Sequence, residues 1–245
     1  MQLTENGTVA DAQRPTRRSL GPGAVALFAV YVLLAPAVLF LTSGDWRWGM
    51  GWAYSITVVV LSVASRGVAF LVNRDLLAER ARGVGGEGVK PWDRLLSPLT
   101  GLVGPLVIWA TAGLDQRLGW SVDLALGLQI MALAVVVLSY GVGTWAMAVN
   151  PFLSGGVRIQ AERGHRVVDT GPYSYVRHPG YAAALISYLA TPLALDSLWG
   201  LAPGLLTGAL LVVRTILEDQ TLSEELPGYR QYTEKVRYRL VPGVW

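Results

Sequence analysis

The length of its uncharged apolar runs limits this chain's choice of fold more than any other feature. No residue is charged from Leu124 to Val157, from Leu95 to Leu114 or from Trp48 to Ser65. A helix on the surface of a soluble core shows a polar face at every turn. A bilayer core instead takes about 20 consecutive apolar residues per helix. Candidate spans are Gly23–Thr42, Trp48–Val72, Leu95–Leu114, Val122–Val149, Tyr181–Leu195 and Leu198–Leu217. Only 15% of the 245 residues are charged, against about 25% in soluble domains. The expected fold is all-α: a polytopic integral membrane protein with about six transmembrane helices. The last two form a helical hairpin around the break near Asp196.

Residues 1–22 read as a disordered cytosolic tail, too long and polar before the first span for a secretory signal. Residues 23–150 read as the N-terminal transmembrane helices and 151–245 as the part that carries chemistry. Lys and Arg set the orientation. Of 20 such residues, 16 fall in the N-tail, 73–94, 150–178 and the C-tail, whereas the opposite loops hold only Arg47 and Arg117. Both termini are therefore expected on the cytosolic side. Trp46, Trp48, Trp52 and Trp120 would mark the outer interface and Trp92 the inner one. Gly200, Gly204 and Gly208 recur every four residues, which lets a neighbouring helix approach closely.

The chain has no cysteine and two histidines, and nothing shows metal-ligand spacing, so no metal is expected. The net charge of +3 follows from topology and points to no nucleic acid. Three polar elements stand out on the cytosolic side. RIQAERGHRVVDTGPY carries Gln160, His165, Asp169 and Tyr173. VRHPGY opens the fifth span, with Pro179 suited to a first helical turn and His178 at its cap. RTILED closes the sixth span, where Arg214 and Glu218 share a helix face and could form an i,i+4 pair. The hairpin brings these elements to one membrane face, around a pocket open to a soluble cofactor and to a lipid-like molecule.

HRVVDTGPYSYVRHPGY, RTILED and LPGYRQYTEKVRYRLVPGVW together resemble the isoprenylcysteine carboxyl methyltransferase family, integral membrane enzymes related to the phospholipid methyltransferases. The resemblance covers roughly 158–245 and, more loosely, LLAER…KPWDRLL at 76–96. It implies an S-adenosylmethionine-dependent methyltransferase whose cytosolic cofactor pocket is lined by Gln160, His165, Val167, Val168, Tyr173, His178, Pro179, Tyr181 and Glu218. It further implies catalytic roles for Arg214 and Glu218, and an acceptor held by Arg214 with Asp219. The family's usual Glu-Glu pair is here Glu218-Asp219. The implied acceptor is a lipophilic small molecule or lipidated group, most simply a carboxylate of the isoprenylcysteine type, met in membrane lipid. An amine or thiol acceptor would need a base, for which Glu218 or Asp219 is the first candidate. An NADPH-dependent reductase of the sterol reductase type, which shares the RHP-Tyr turn, and a membrane scaffold or transporter stay open as alternatives. Oligomeric state is not legible.

Overall fold

The computed structural model describes residues 22–72, 76, 79 and 85–245. The expected tail, apart from Pro22, lies outside the described residues. Every regular element among them is helical. They are α1 (Pro22–Ser43), α2 (Gly49–Val72), α3 (Asp93–Pro98), a π-helical turn (Leu99–Val103), α4 (Gly104–Leu118), α5 (Leu126–Val149), α6 (Pro179–Ala194), α7 (Leu201–Glu225), α8 (Tyr229–Lys235) and two short 3-10 turns, Ala161–Arg163 and Gly171–Ser174. α3, the π turn and α4 run on as one rod, Asp93–Leu118.

Five of these helices are long and apolar enough to cross a membrane: α1, α2, the α3–α4 rod, α5 and α7. The fifth expected span, Tyr181–Leu195, is α6, only 16 residues long, about 24 Å at 1.5 Å per residue. The fourth is shorter than expected, because Val122–Ala125 precede the helix; it does end at Asn150, extended before Pro151 (φ −104°, ψ 102°). Of the belt tryptophans, Trp46, Trp52 and Trp120 are exposed, whereas Trp48 is buried in the core.

The helices close into a ring: α1 packs on α2, α2 on α5, α5 on α6, α6 on α4, and α4 on α1. α7 lies against α4 and α6. Its glycines make the expected close approach. A Cβ on Gly204 would sit 2.6 Å from Tyr188 O, and one on Gly208 2.7 Å from Leu185 Cδ1. The hairpin turn rests on Asp196, which has a positive φ of 60° and accepts a hydrogen bond from Leu124 N at 2.6 Å.

One end of the ring is sealed. Buried Asp115 accepts from Ser121 N (2.8 Å), Ser121 Oγ (2.5 Å) and Ser197 Oγ (2.6 Å), tying α4 to both neighbouring loops. Beneath this staple lies an apolar plug that includes Leu39, Phe40, Trp109, Ala112, Val136 and Leu195. The other end receives the 150–178 segment. Lys90 N donates to Val157 O (2.9 Å) and Ser97 Oγ to Gly155 O (2.6 Å), docking that segment on the start of the rod.

The π turn has a local cause and a consequence. Gly104 N–H reaches back to Leu99 O, and Pro105 has no N–H to give. Thr100 O is thereby left by the helix and accepts from Tyr188 Oη at 2.6 Å. One residue on, Gly101 O accepts from Tyr31 Oη at 3.4 Å. Misaligned carbonyls of this kind mark π turns near functional sites.

Candidate active site

A chamber of about 590 Å³ runs from the 150–178 segment up into the helical ring, within the range of small-molecule and cofactor pockets. Its inner part is bounded by Val32, Ala35, Val58, Ile108 and Trp109 under the plug. Tyr54 closes that part, its hydroxyl 3.2 Å from Thr191 Oγ1 and accepting Trp109 Nε1–H at 2.9 Å. The mouth is polar, and eight of the expected site residues line the chamber: His165, Val167, Val168, Tyr173, His178, Tyr181, Arg214 and Glu218. Gln160, Pro179 and Asp219 are not among its lining; all three are buried behind it.

The positions of these three have physical reasons. Gln160 holds the loop shut on itself: Nε2 donates to Phe152 O at 2.6 Å, and Oε1 accepts from Arg163 Nη1. Pro179 takes the first position of α6, where its missing N–H costs nothing. His178 is the residue before it and gives the cap through its carbonyl, not its ring, since Tyr181 N and Ala182 N both donate to His178 O at 3.0 Å.

Asp219 is the hub of a buried charge cluster. Oδ1 accepts from Arg177 Nε (2.8 Å) and Tyr229 Oη (2.9 Å) and lies 3.2 Å from His178 Nε2. Oδ2 accepts from Arg177 Nη2 and Arg239 Nε, each at 2.9 Å. Arg177 Nη1 also donates to Val236 O and Arg237 O. The cluster thus pins the VRH turn and the 236–239 segment onto α7. Burial, then the Asp219 charge, pushes the Tyr229 phenol up, so it stays a donor.

Arg214 and Glu218 do not pair with each other. Arg214 forms a two-pronged bridge to Asp93, Nε to Oδ1 at 2.7 Å and Nη2 to Oδ2 at 3.0 Å. Asp93 is fully buried and also accepts Val157 N–H at 2.6 Å. Glu218 instead accepts from the Tyr181 hydroxyl. The Arg214 guanidinium lies 5.0 Å over the Tyr181 ring, and the Tyr181 ring stacks on His178 at 5.7 Å. Asp93, Tyr229 and Arg239 are the participants that sequence reasoning missed. The loose likeness of KPWDRLL held the one hint of the first.

His165 stands at the mouth, its ring 4.7 Å from that of Phe152. Nδ1 accepts from Gln160 N at 3.3 Å. Burial, then the positive Arg158 and Arg163, lowers its pKa to about 4. The imidazole is therefore neutral near pH 7, with Nε2 carrying the proton.

A ring of apolar helices, five of them long enough to cross a membrane, around a chamber that is ionic at its mouth and apolar within defines the class as an integral membrane protein with an internal cavity. Among known families, residues 130–224 match that described as the isoprenylcysteine carboxyl methyltransferase (ICMT) family. The match takes in HRVVDTGPYSYVRHPGY and RTILED and stops short of LPGYRQY and KPWDRLL, so the resemblance read from the sequence holds over this segment. It implies a membrane methyltransferase. No curated protein matches the chain significantly.

Proposed function

We propose that the chain transfers a methyl group from S-adenosylmethionine to a lipophilic acceptor with an acidic head, a carboxylate of the isoprenylcysteine type. The single observation that carries this is the continuity of one chamber from an ionic mouth to an apolar interior. A soluble donor and a membrane-dissolved acceptor could meet there. The donor set suits the cofactor. Among the described residues Glu218 is the one carboxylate on the lining, and it can accept from an ammonium or a ribose hydroxyl. The stacked His178 and Tyr181 rings offer π-faces to a cation or an adenine, while the Val167–Val168 main chain, His165 and Tyr173 would close the mouth.

When bound, the cofactor supplies a methyl group on a sulfonium that keeps the carbon–sulfur electron pair as the acceptor oxygen takes the carbon. A carboxylate acceptor is already ionised and needs no base. The chain's own work is then alignment and exclusion of water. Asp93 fixes the Arg214 fork, leaving Nη1 to orient the acceptor without adding net charge. Asp219 holds the His178–Tyr181 wall. The Lys and Arg distribution supports a mouth on the cytosolic side.

The test is ligand-dependent thermal stabilisation of the detergent-purified protein with S-adenosylmethionine, S-adenosylhomocysteine and NADPH. A ligand at 100 times its Kd adds about 2.7 kcal/mol. The adenosyl ligands should stabilise the wild type and lose most of that effect in Glu218→Gln. Stabilisation by NADPH alone would move the protein to the reductases.

A further inference from the structure

The cations on the chamber wall divide into two kinds. Arg158, Arg177 and Arg214 each have a carboxylate at hydrogen-bond distance: Glu79 at 2.8 Å, Asp219 at 2.8 Å and Asp93 at 2.7 Å. Arg214 and Asp93 make a neutral pair; Arg158 has a second carboxylate in Glu162 at 2.7 Å, and Asp219 is shared with Arg239 behind the wall. Arg166 is exposed on the loop. Arg66 fits neither description. It lies in α2 between apolar stretches and is half-buried. Its guanidinium sits 5.1 Å over the Phe28 ring, and among the described residues no carboxylate bridges to it.

An ionised side chain at membrane depth is costly, and such residues face a cavity or a partner. Arg66 faces the chamber. Its helical neighbours Ser62 and Ser65 are buried and line the same wall, and Thr144 of α5 donates to Ser65 Oγ at 3.0 Å. Tyr140 lines the wall one helical turn before Thr144. The hydroxyls and the unpaired guanidinium form a polar patch inside an otherwise apolar ring. Such a patch matches one bulky polar head on a greasy tail.

We propose that Arg66, in the half of the chain outside the family match, supplies the charge that selects an anionic acceptor. Its guanidinium takes the acceptor's carboxylate, and the Ser62, Ser65 and Tyr140 hydroxyls are placed to donate to the remaining carboxylate lone pairs. This rests on the methyltransferase reading and refines it. Arg214, neutralised by Asp93, gives direction, whereas discrimination between a charged and a neutral head needs uncompensated charge.

The experiment is saturable binding to the full chain in zwitterionic phosphatidylcholine nanodiscs, corrected against empty nanodiscs. The probes are N-acetyl-S-farnesylcysteine and its carboxamide, which share a tail and differ in head charge. The wild type should prefer the carboxylate by about tenfold to a hundredfold, the range for a hydrogen bond to a charged group. Arg66→Gln should bring the two affinities together, by weakening the carboxylate's binding far more than the carboxamide's. Arg66→Lys, which keeps charge but not the fork, should retain part of the preference. An undiminished preference in Arg66→Gln, or no preference in the wild type, overturns the proposal. Preference and carboxamide binding lost together in both variants would make Arg66 a structural anchor and overturn it equally. The binding of S-adenosylmethionine, measured separately, decides the methyltransferase reading; its failure would leave the Arg66 result legible in the same nanodiscs.

Discussion

Replacing Asp219 by Asn keeps the shape of the side chain and removes only its charge and one acceptor. Both carboxylate oxygens face guanidinium N–H groups: Oδ1 meets Arg177 Nε, and Oδ2 meets Arg177 Nη2 and Arg239 Nε. Whichever way the amide turns, its NH2 therefore opposes a donor. Arg177 is buried, with 5% of its side chain exposed against 6% for Asp219. Breaking such a pair from one side costs about 3–5 kcal/mol, because the remaining charge stays uncompensated. Arg239 is a third exposed and can turn to water, which favours the lower part of that range. At this chain length each kcal/mol moves Tm by about 2–4 °C, so Asp219→Asn should lower it by about 6–20 °C. The assay is thermal unfolding in detergent, with Glu225→Gln alongside. Glu225 pairs with Lys90 at 2.5 Å, but Glu225 is exposed (42%) and Lys90 only half-buried (26%), and that change should cost under about 1 kcal/mol. A Tm for Asp219→Asn within about 2 °C of wild type would refute the account of Asp219 as the clasp between α7 and the 236–239 segment.

Asp93→Asn should destabilise by a similar amount of about 3–5 kcal/mol; in the double variant Asp93→Leu/Arg214→Leu the loss should fall well short of the sum of the singles, a coupling read from a thermal double-mutant cycle. Gly204→Val drives a side chain into the Tyr188 carbonyl and should cost about 1–3 kcal/mol, seen as a lowered Tm. His165 has its folded pKa depressed to about 4 from an ordinary 6.5, so the unfolded chain binds more protons between those values. Its contribution is complete above about pH 6.5 and lost as pH falls towards 4. The stability of wild type minus that of His165→Gln should accordingly decline over that window and stay flat from pH 7 to 8.

Apolar runs with no charge are legible because the bilayer imposes length and composition on a single helix, with no knowledge of its neighbours. The helical hairpin was legible for the same reason, and the Gly204–Gly208 spacing correctly announced a close approach. Pairing was not legible. The i,i+4 rule offered Glu218 to Arg214, yet the arginine reaches 121 residues back to Asp93. Helical proximity only makes a pair available, and a buried carboxylate elsewhere in sequence outcompetes a neighbour that a tyrosine hydroxyl already satisfies. Asp219 read as a candidate ligand for the acceptor because it follows Glu218. Successive helix residues point about 100° apart, and that rotation turns Asp219 away from the chamber and into the arginine cluster. Gln160 has a similar history: its amide can close a loop as readily as bind a ligand, and only tertiary distances choose.

The same rule that hid these partners separates working charges from structural ones. A guanidinium buried among apolar helices is tolerated when a carboxylate compensates it, as at Arg158, Arg177 and Arg214. A compensated arginine such as Arg214 adds no net charge to the wall even where, as proposed, it directs the acceptor, and a neutral wall favours neither a charged nor an uncharged acceptor. Among the described residues half-buried Arg66 has an aromatic face beneath it and no carboxylate partner, and the contact with the ring is worth about 0.5–2 kcal/mol, less than a paired charge supplies. On the proposal made above, a negative head would make good that deficit, and the chamber's affinity for such a head would be the free energy so recovered. Since Arg66 stands in α2, ahead of the family match at 130–224, acceptor choice and methyl transfer would be divided between the two halves of the chain. Variants of the first half should then change which acceptor binds without changing S-adenosylmethionine affinity.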